Sequence, residues 1–269
     1  MSIVTISRGS YSQGETIAKN LAAKLGYECL SREVLIEASK EFNTPEVKLV
    51  RAIRNAPSIL DRFTYGKEKY VAYIQAAILK RVLKDNVVYH GLAGHFFLKD
   101  ISHVLKVRIL ADMEERVRRE MARAGISHKE ALRILTEDDD ERRKWSKNLY
   151  GIDTADPSLY DLVIHIKKIT AEDAVEIIAD TLRLPKFQKT PASQQNLEDL
   201  ALAAEVKAVL VGLKPDIEVA AQDGIVSLQL KAPESQESAL TRDLEATAKK
   251  ITGVKGVKFQ VSPIVRYID

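Results

Sequence analysis

A single cysteine, Cys29, among 269 residues leaves no partner for an internal disulfide, and no Cys or His cluster stands at zinc-ligand spacing. A free, buried thiol is the expectation. No stretch nears the roughly 20 uninterrupted apolar residues of a membrane span. The opening MSIVTISRGS lacks a basic segment followed by an apolar one, so the chain reads as cytoplasmic. Aromatic residues make up only 6%, and 12 Gly with 8 Pro are too few for a collagen-like or low-complexity chain. Neither sign of charge dominates: 41 basic residues face 38 acidic ones, a net +3 too balanced to imply a nucleic-acid partner. What is present, 45% hydrophobic and 29% charged residues, is an ordinary globular composition. The length suits one large domain or a larger domain with a smaller companion. Residues 190–269 hold 9 Lys and Arg against 11 Asp and Glu, which leaves 32 against 27 for residues 1–189. That places the small basic surplus in the longer part, where a protein that handles phosphates would have it.

Along the chain, apolar runs alternate with helical periodicities. SIVTIS reads as a buried strand, and Gly14 to Leu25 puts Ile17, Leu21, Ala22 and Leu25 on one helical face. A short strand near Glu28 to Leu30 is followed by helical patterns at about 32–42, 45–55 and 66–84. Strands are predicted at Asn86 to His90, Leu105 to Leu110 and Leu162 to Ile166, with polar helices at roughly 112–124 and 127–147 and a closing helix at about 170–182. Strands alternating with helices predict an α/β fold with a parallel sheet, because parallel neighbours need crossovers. The pattern stops in LPKFQKTPASQQ, which is read as a linker over 186–196 between a domain at 1–185 and a second one at 197–263. Beyond it, a helix over 197–213, a strand at Ile217 to Val219, a turn at Gln222 to Gly224, a strand over 226–231, a helix at about 235–251 and a strand over 257–261 follow. This α-β-β-α-β order predicts a small α+β module, a sheet covered on one face by two helices.

Between the first strand and the first helix lies Gly9-Ser10-Tyr11-Ser12-Gln13-Gly14-Glu15-Thr16, which spells G-x-x-x-x-G-E-T. Such a loop turns backbone N–H groups around a phosphate at the positive end of a helix, and its last hydroxyl, here Thr16, can ligate a phosphate-bound Mg²⁺. The lysine that normally reaches the β- and γ-phosphates is absent, and Glu15 stands in its place. A carboxylate there is repelled by polyphosphate unless a metal or an arginine intervenes. A plain strand-to-helix turn capped by Ser12 or Thr16 would fit the same residues.

The predicted hairpin at 112–147 carries Arg116, Arg118 and Arg119, then Arg142, Arg143 and Lys144 after the acidic run Asp138 to Glu141. Arg116 and Arg119, three apart, are expected on one face, where guanidinium groups hold phosphate oxygens in pairs. A solvated, salt-bridged hairpin is the alternative. His90, His95 and His103 cluster in sequence, but His90 and His95 are five apart across Gly91, which is not the helical spacing of a zinc site. The mixed aromatic and basic stretch from Asp61 to Tyr70 is a candidate base or phosphate contact or a capped helix start. Trp145 and Tyr150 are candidates for stacking on a nucleotide or for anchoring the hairpin.

The blocks ISRGSYSQGETIAKNLAAKLGYECLSRE, VVYHGLAGHFFL, VRILADMEERVRREM and DDDERRKWSKNLYGID with DPSLYDLVIHI resemble, in order and spacing, the cytidylate-kinase-like family of nucleoside monophosphate kinases. The resemblance covers about 1–183 and implies a P-loop kinase-like parallel sheet flanked by helices, with ATP and Mg²⁺ as cofactors and a CMP-like acceptor. It implies that Gly9, Ser12, Gly14 and Thr16 meet the donor phosphates, with Thr16 on the metal; Glu15 and Arg8 are further candidates at the same site, and Arg8, Lys19 or a lid arginine is the candidate substitute for the missing lysine. It also implies that Arg116, Arg119 and Arg142 form a catalytic lid. The acceptor would bind after the second long strand and among the helices at 32–84. Two departures remove positive charge: Glu15 in the loop, and Leu92 after Gly91 where relatives often have Gly-Arg.

Over roughly 197–262 the sequence resembles a BON domain, in IEVAAQDGIVSLQLKA and AKKITGVKGVKFQV, with Gly224, Gly253 and Gly256 in place. That module lacks a basic amphipathic helix, so a protein partner or intramolecular regulation is expected rather than a membrane. The function expected from the whole is phosphoryl transfer from ATP to a nucleoside monophosphate. The alternative is a weakened, nucleotide-sensing fold that signals through the second module.

Overall fold

The structure is a computed structural model that describes residues 2–9, 12–31, 33–45, 49, 66–91 and 94–263, except for the side chains of 66–68, 145, 148–150 and 234. The predicted helix at 45–55, most of the 61–70 stretch, Leu92 and the side chains of Trp145 and Tyr150 therefore lie outside the described residues.

The elements are β1 (Ile3–Arg8), α1 (Gly14–Leu25), β2 (Glu28–Leu30), α2 (Glu33–Glu41), α3 (Gly66–Val82), β3 (Val87–His90), α4 (Gly94–Phe97), β4 (Val104–Ala111), α5 (Met113–Ala124), α6 (His128–Tyr150), β5 (Leu162–Ile166) and α7 (Ala171–Leu182). Then follow α8 (Pro191–Leu210), β6 (Glu218–Gln222), β7 (Ile225–Ala232), α9 (Glu234–Ala248) and β8 (Gly256–Pro263). The first five strands form one sheet in the order β2-β3-β1-β4-β5, every pair parallel. Helices cover both faces, as the crossovers require.

Strand alternation sorts the apolar residues. Val4 and Ile6 of β1, Val88 of β3 and Leu105, Val107 and Ile109 of β4 pack with Ile17, Leu21 and Ile178 of α1 and α7. Ile3, Val87, Tyr89 and Val104 point the other way, into a core with Val34, Ile78, Leu79 and Leu98. On this second face, toward the carboxyl ends of the strands, the side chains turn polar, with Ser7 directly opposite Arg108 in register. Crevices at the carboxyl ends of parallel strands are where such sheets bind ligands. Cys29, on β2, is half-buried rather than buried, because β2 is the edge strand.

The C-terminal sheet has the order β6-β7-β8, with β6 and β7 antiparallel and β7 and β8 parallel. Asp223 and Gly224, with φ of 50° and 85°, make the two-residue hairpin turn that favours Asp-Gly, since both central residues take positive φ. Val226, Leu228 and Leu230 face α8 and α9 through Val206, Leu210 and Leu244.

The stretch expected as a linker, 186–196, holds packed and helical residues. Phe187, in the short turn Pro185–Phe187, is buried in the main core, and its carbonyl accepts a hydrogen bond from Ser2 Oγ at 2.7 Å. Helix α8 starts at Pro191, six residues before the expected 197, with Thr190 and Ser193 exchanging hydrogen bonds in a capping box. The helix is apolar on two sides. Leu197, Ala201, Ala204 and Ala208 belong to the core shared with α3, while Val206 and Leu210 belong to the C-terminal core. Its polar residues, among them Glu198 and Glu205, stay exposed between these two apolar sides, and one helix contributes to both cores. Among the described residues no helix is long and apolar enough to cross a membrane.

Candidate active site

A cavity of about 500 Å3 opens at the carboxyl ends of β1, β3 and β4. Its wall includes Arg8 and Gly9 of the loop after β1, Glu15 of α1, His90 of β3, Arg108 of β4, Arg116 of α5, and Arg142, Arg143 and Ser146 of α6.

Within the loop, the left-handed backbone position is Gln13, at φ 66°, rather than either glycine. Gly14 is required for another reason: a Cβ there would lie 2.7 Å from both Cβ and Cδ of Arg8, whose side chain crosses directly over it. At Gly9 a Cβ would only touch the Arg116 guanidinium, 3.6 Å away. Ser12 is fully buried, and its hydroxyl hydrogen-bonds the carbonyls of Gly9 at 3.0 Å and Ile109 at 3.3 Å. It clips the loop to β4 instead of facing a ligand. Glu15 lines the cavity, whereas Thr16 is exposed on the first turn of α1 and is not among the cavity-lining residues.

The expected pairing of Arg116 with Arg119 does not occur. Arg116 is buried and gives two hydrogen bonds to Asp139, at 2.7 and 2.9 Å, across the hairpin. Arg119 is 45% exposed, pairs with Glu115 one turn back, and is not part of the cavity wall. The two stand only about 60° apart around the helix, and it is their different partners, Asp139 across the hairpin and Glu115 one turn back, that send them apart. Arg142 does face the cavity, and its Nη1 donates to the Arg8 carbonyl at 3.2 Å. Burial first, then the neighbouring Arg8 guanidinium, lowers the Arg142 pKa from its ordinary value. Such a crowded, desolvated cation is stabilised by any anion that reaches it.

The floor brings Arg108 and Tyr160, which pattern alone did not single out, beside His95, which it did. Arg108 Nη1 donates to the Tyr160 hydroxyl at 3.0 Å, and its guanidinium lies 5.4 Å from the Tyr160 ring centroid. Among the described residues no carboxylate forms an ion pair with it. The Tyr160 hydroxyl also lies 3.2 Å from His95 Nε2 and 3.3 Å from Ser7 Oγ. Burial above all, then the Arg108 and Lys106 charges, push His95 from 6.5 down to about 3, so it is neutral at working pH. His90 is lowered too, by burial and then by Arg8. Among the described residues, buried Nδ1 of His90 and Oγ of Ser146 find no hydrogen-bond partner. The available signal for Arg108 was a charged residue within a strand covered on both faces, where near-continuous apolar sequence is the rule. Among the described residues no three His, Cys, Asp or Glu side chains gather as a metal site.

A model of the cytidylate kinase-like family matches residues 3–168. The chain belongs to the cytidylate kinase-like family. A cytidylate kinase of Archaeoglobus fulgidus is 32% identical over 191 residues, which cover 69% of this chain and 97% of that protein. One of Thermococcus sibiricus is 41% identical over 168 residues, 62% of this chain and 80% of that protein. A solved structure of an uncharacterized protein from Eubacterium ventriosum covers 68% of this chain and 99% of its own at a TM-score of 0.53 and 21% identity, and it shares the fold. The architecture is thus α/β and P-loop kinase-like, and the cavity described here lies within the cytidylate kinase-like part. The C-terminal mixed sheet falls after the family match.

Proposed function

We propose that this chain transfers the γ-phosphoryl group of Mg–ATP to a nucleoside monophosphate, CMP being the preferred acceptor. Membership of the cytidylate kinase-like family makes it a nucleoside monophosphate kinase by descent. The observation that carries the reading at residue level is the convergence of Arg8, Arg108, Arg116, Arg142 and Arg143 on one cavity beside the start of α1.

Phosphoryl transfer asks a protein mainly to position two anions and to stabilise charge spread over the moving group. The acceptor phosphate oxygen forms a bond to the γ-phosphorus while the bond to the β–γ bridging oxygen breaks, and that electron pair leaves with ADP. The attacking oxygen is already anionic, so no strong base is needed, in keeping with His90 and His95, whose lowered pKa values make them weak bases. The N-terminus of α1 and the loop amides favour the donor phosphates through their dipoles. Arg142, half-buried beside Arg8, closes the hairpin over them. Mg²⁺ arrives with ATP as part of the substrate, holding mostly phosphate and water oxygens. Among the described residues after the loop, the Glu15 carboxylate and the Thr16 hydroxyl are oxygens that could hold it, and of these two Glu15 lines the cavity.

We also read the division into a kinase part and a C-terminal BON-like module, on the α-β-β-α-β order, as a protein-binding or regulatory arrangement in a cytoplasmic protein. The alternative of a sensor without turnover finds no support among the relatives, which bear the name cytidylate kinase.

ADP release measured with Mg–ATP against a panel of nucleoside monophosphates tests the proposal. CMP-dependent release that falls about 10²–10⁴-fold in Arg142→Ala is expected. No acceptor-dependent release with any nucleoside monophosphate would refute it.

A further inference from the structure

The loop presents a chemical contradiction that its spacing alone leaves open. A phosphoryl-transfer site needs a cation beside the γ-phosphoryl group, yet the residue at that place is Glu15. Among the described residues two cations form ion pairs with Glu15. Lys19 Nζ is 2.8 Å from Glu15 Oε1, one turn along α1, but it is 63% exposed and does not line the cavity. Arg8 comes from the other side. Its Nη2 is 3.7 Å from Glu15 Oε2, its stem runs over Gly14, and it lines the cavity next to Gly9 and Arg142.

The geometry points to Arg8 as a catalytic residue that replaces the missing loop lysine from the end of β1. Its guanidinium touches the γ-phosphoryl oxygens of bound ATP, and Glu15 is a positioning residue that holds it at the start of α1 until the nucleotide arrives. This deepens the kinase reading and rests on it.

Three features of the fold support the exchange of one cation for another. Glycine at position 14 is what lets the Arg8 stem cross the start of the helix, since any Cβ would collide with it. The Arg8–Glu15 pair is long and partly exposed, at 25% and 49%, so a polyphosphate can take the guanidinium from the carboxylate at small cost. Lys19 then stays beside Glu15, its Nζ 2.8 Å from Oε1. The planar fork of arginine also suits two phosphoryl oxygens at once, which a lysine ammonium does not. During transfer the γ-phosphoryl group leaves the β–γ bridging oxygen for the acceptor phosphate oxygen, and Arg8 neither gains nor loses a proton. It stabilises the negative charge on the γ oxygens as those bonds exchange.

The test uses the full chain with Arg8→Met, Arg8→Lys, Lys19→Met and the double variant Arg8→Met with Glu15→Lys. The readouts are kcat with Mg–ATP and CMP, acceptor KM, the ratio of ATP to ADP affinity by titration, and thermal unfolding. Arg8→Met should lower kcat about 10³-fold or more, leave acceptor KM within about threefold, and erase an ATP-over-ADP preference of about tenfold. The added Glu15→Lys should restore kcat at least about tenfold. A purely structural Arg8 would instead lower the unfolding temperature without changing the ATP-to-ADP ratio, and the second substitution would not restore turnover. Retention of kcat within about threefold in Arg8→Met, an unchanged ATP-to-ADP ratio, or a larger loss in Lys19→Met each overturns the assignment. If Arg8→Met does not fold, Arg8→Lys is judged by the same ratio. A wild type without turnover on any acceptor refutes the kinase reading, while loss of the ATP-to-ADP preference in the Arg8 variant would still uphold the γ-phosphoryl contact.

Discussion

His95 ties the floor of the cavity to the stability of the fold, and the size of that link follows from its burial. The ring is 5% exposed, its Nε2 is 3.2 Å from the Tyr160 hydroxyl, and Arg108 and Lys106 are the charges that disfavour its protonation. In the unfolded chain His95 takes up a proton near pH 6.5, and in the folded protein only near pH 3. Between those values the unfolded state binds more protons, so stability falls as pH drops through the window and is complete only above about pH 7. At pH 5.5 the unfolded ring is about tenfold more protonated than neutral, which costs the fold about 1.4 kcal/mol relative to pH 7.5. In thermal unfolding that is a shift of roughly 3–5 °C for a chain of this size. His90 and His103 are also lowered by burial, so the wild-type loss is larger than the His95 share. The comparison of wild type with His95→Gln at pH 7.5 and 5.5, by chemical and thermal denaturation, isolates it. The variant should lose about 1.4 kcal/mol less over that interval. Equal losses in the two proteins would show that the His95 ring is not held neutral by this site.

Arg119→Ala should leave kcat/KM within about twofold, because its exposed pair with Glu115 contributes little. Arg142→Ala should cost the 10²–10⁴-fold stated above, and equal effects in the two would refute the separation of the lid arginines. Gly14→Ala should cost roughly 1–3 kcal/mol through overpacking and lower kcat as the Arg8 side chain is displaced. Wild-type kcat in that variant would show that the crossing of Arg8 over Gly14 is dispensable. Leu197→Ala, 1% exposed in the core that α8 shares with α3, should cost about 2–5 kcal/mol of unfolding free energy. A loss below about 1 kcal/mol would mean that Leu197 does not anchor α8 to the core shared with α3.

The strand and helix order of the first domain was legible because its signals are local. An apolar run covered on both faces, the periodicity of Ile17, Leu21 and Leu25, and the loop between them depend on nearest neighbours alone. The candidate site was legible in part: Arg8, Gly9, Glu15, Arg116 and Arg142 lie on the cavity wall, whereas Thr16 and Arg119 do not. Arg116 and Arg119 show why. Spacing says which residues share a helix side, but only Asp139, reaching from the other arm of the hairpin, decides which one turns inward. Arg108 went unnoticed because a charged residue within a strand has no meaning until its register opposite Ser7 and its contact with Tyr160 are known.

The sequence by itself determined that this chain alternates strands and helices, carries a phosphate-type loop without its lysine, and ends in a module of different grammar. Those properties reside in composition, period and spacing, which act over a few residues. The tertiary structure decided that α8 belongs to both sheets, that Ser12 is a clip, and that Gly14 is glycine because Arg8 crosses it. Each of these depends on groups brought together from different elements. Contacts of that kind are fixed by packing and by the pairing of buried polar groups, neither of which leaves a local mark in the chain.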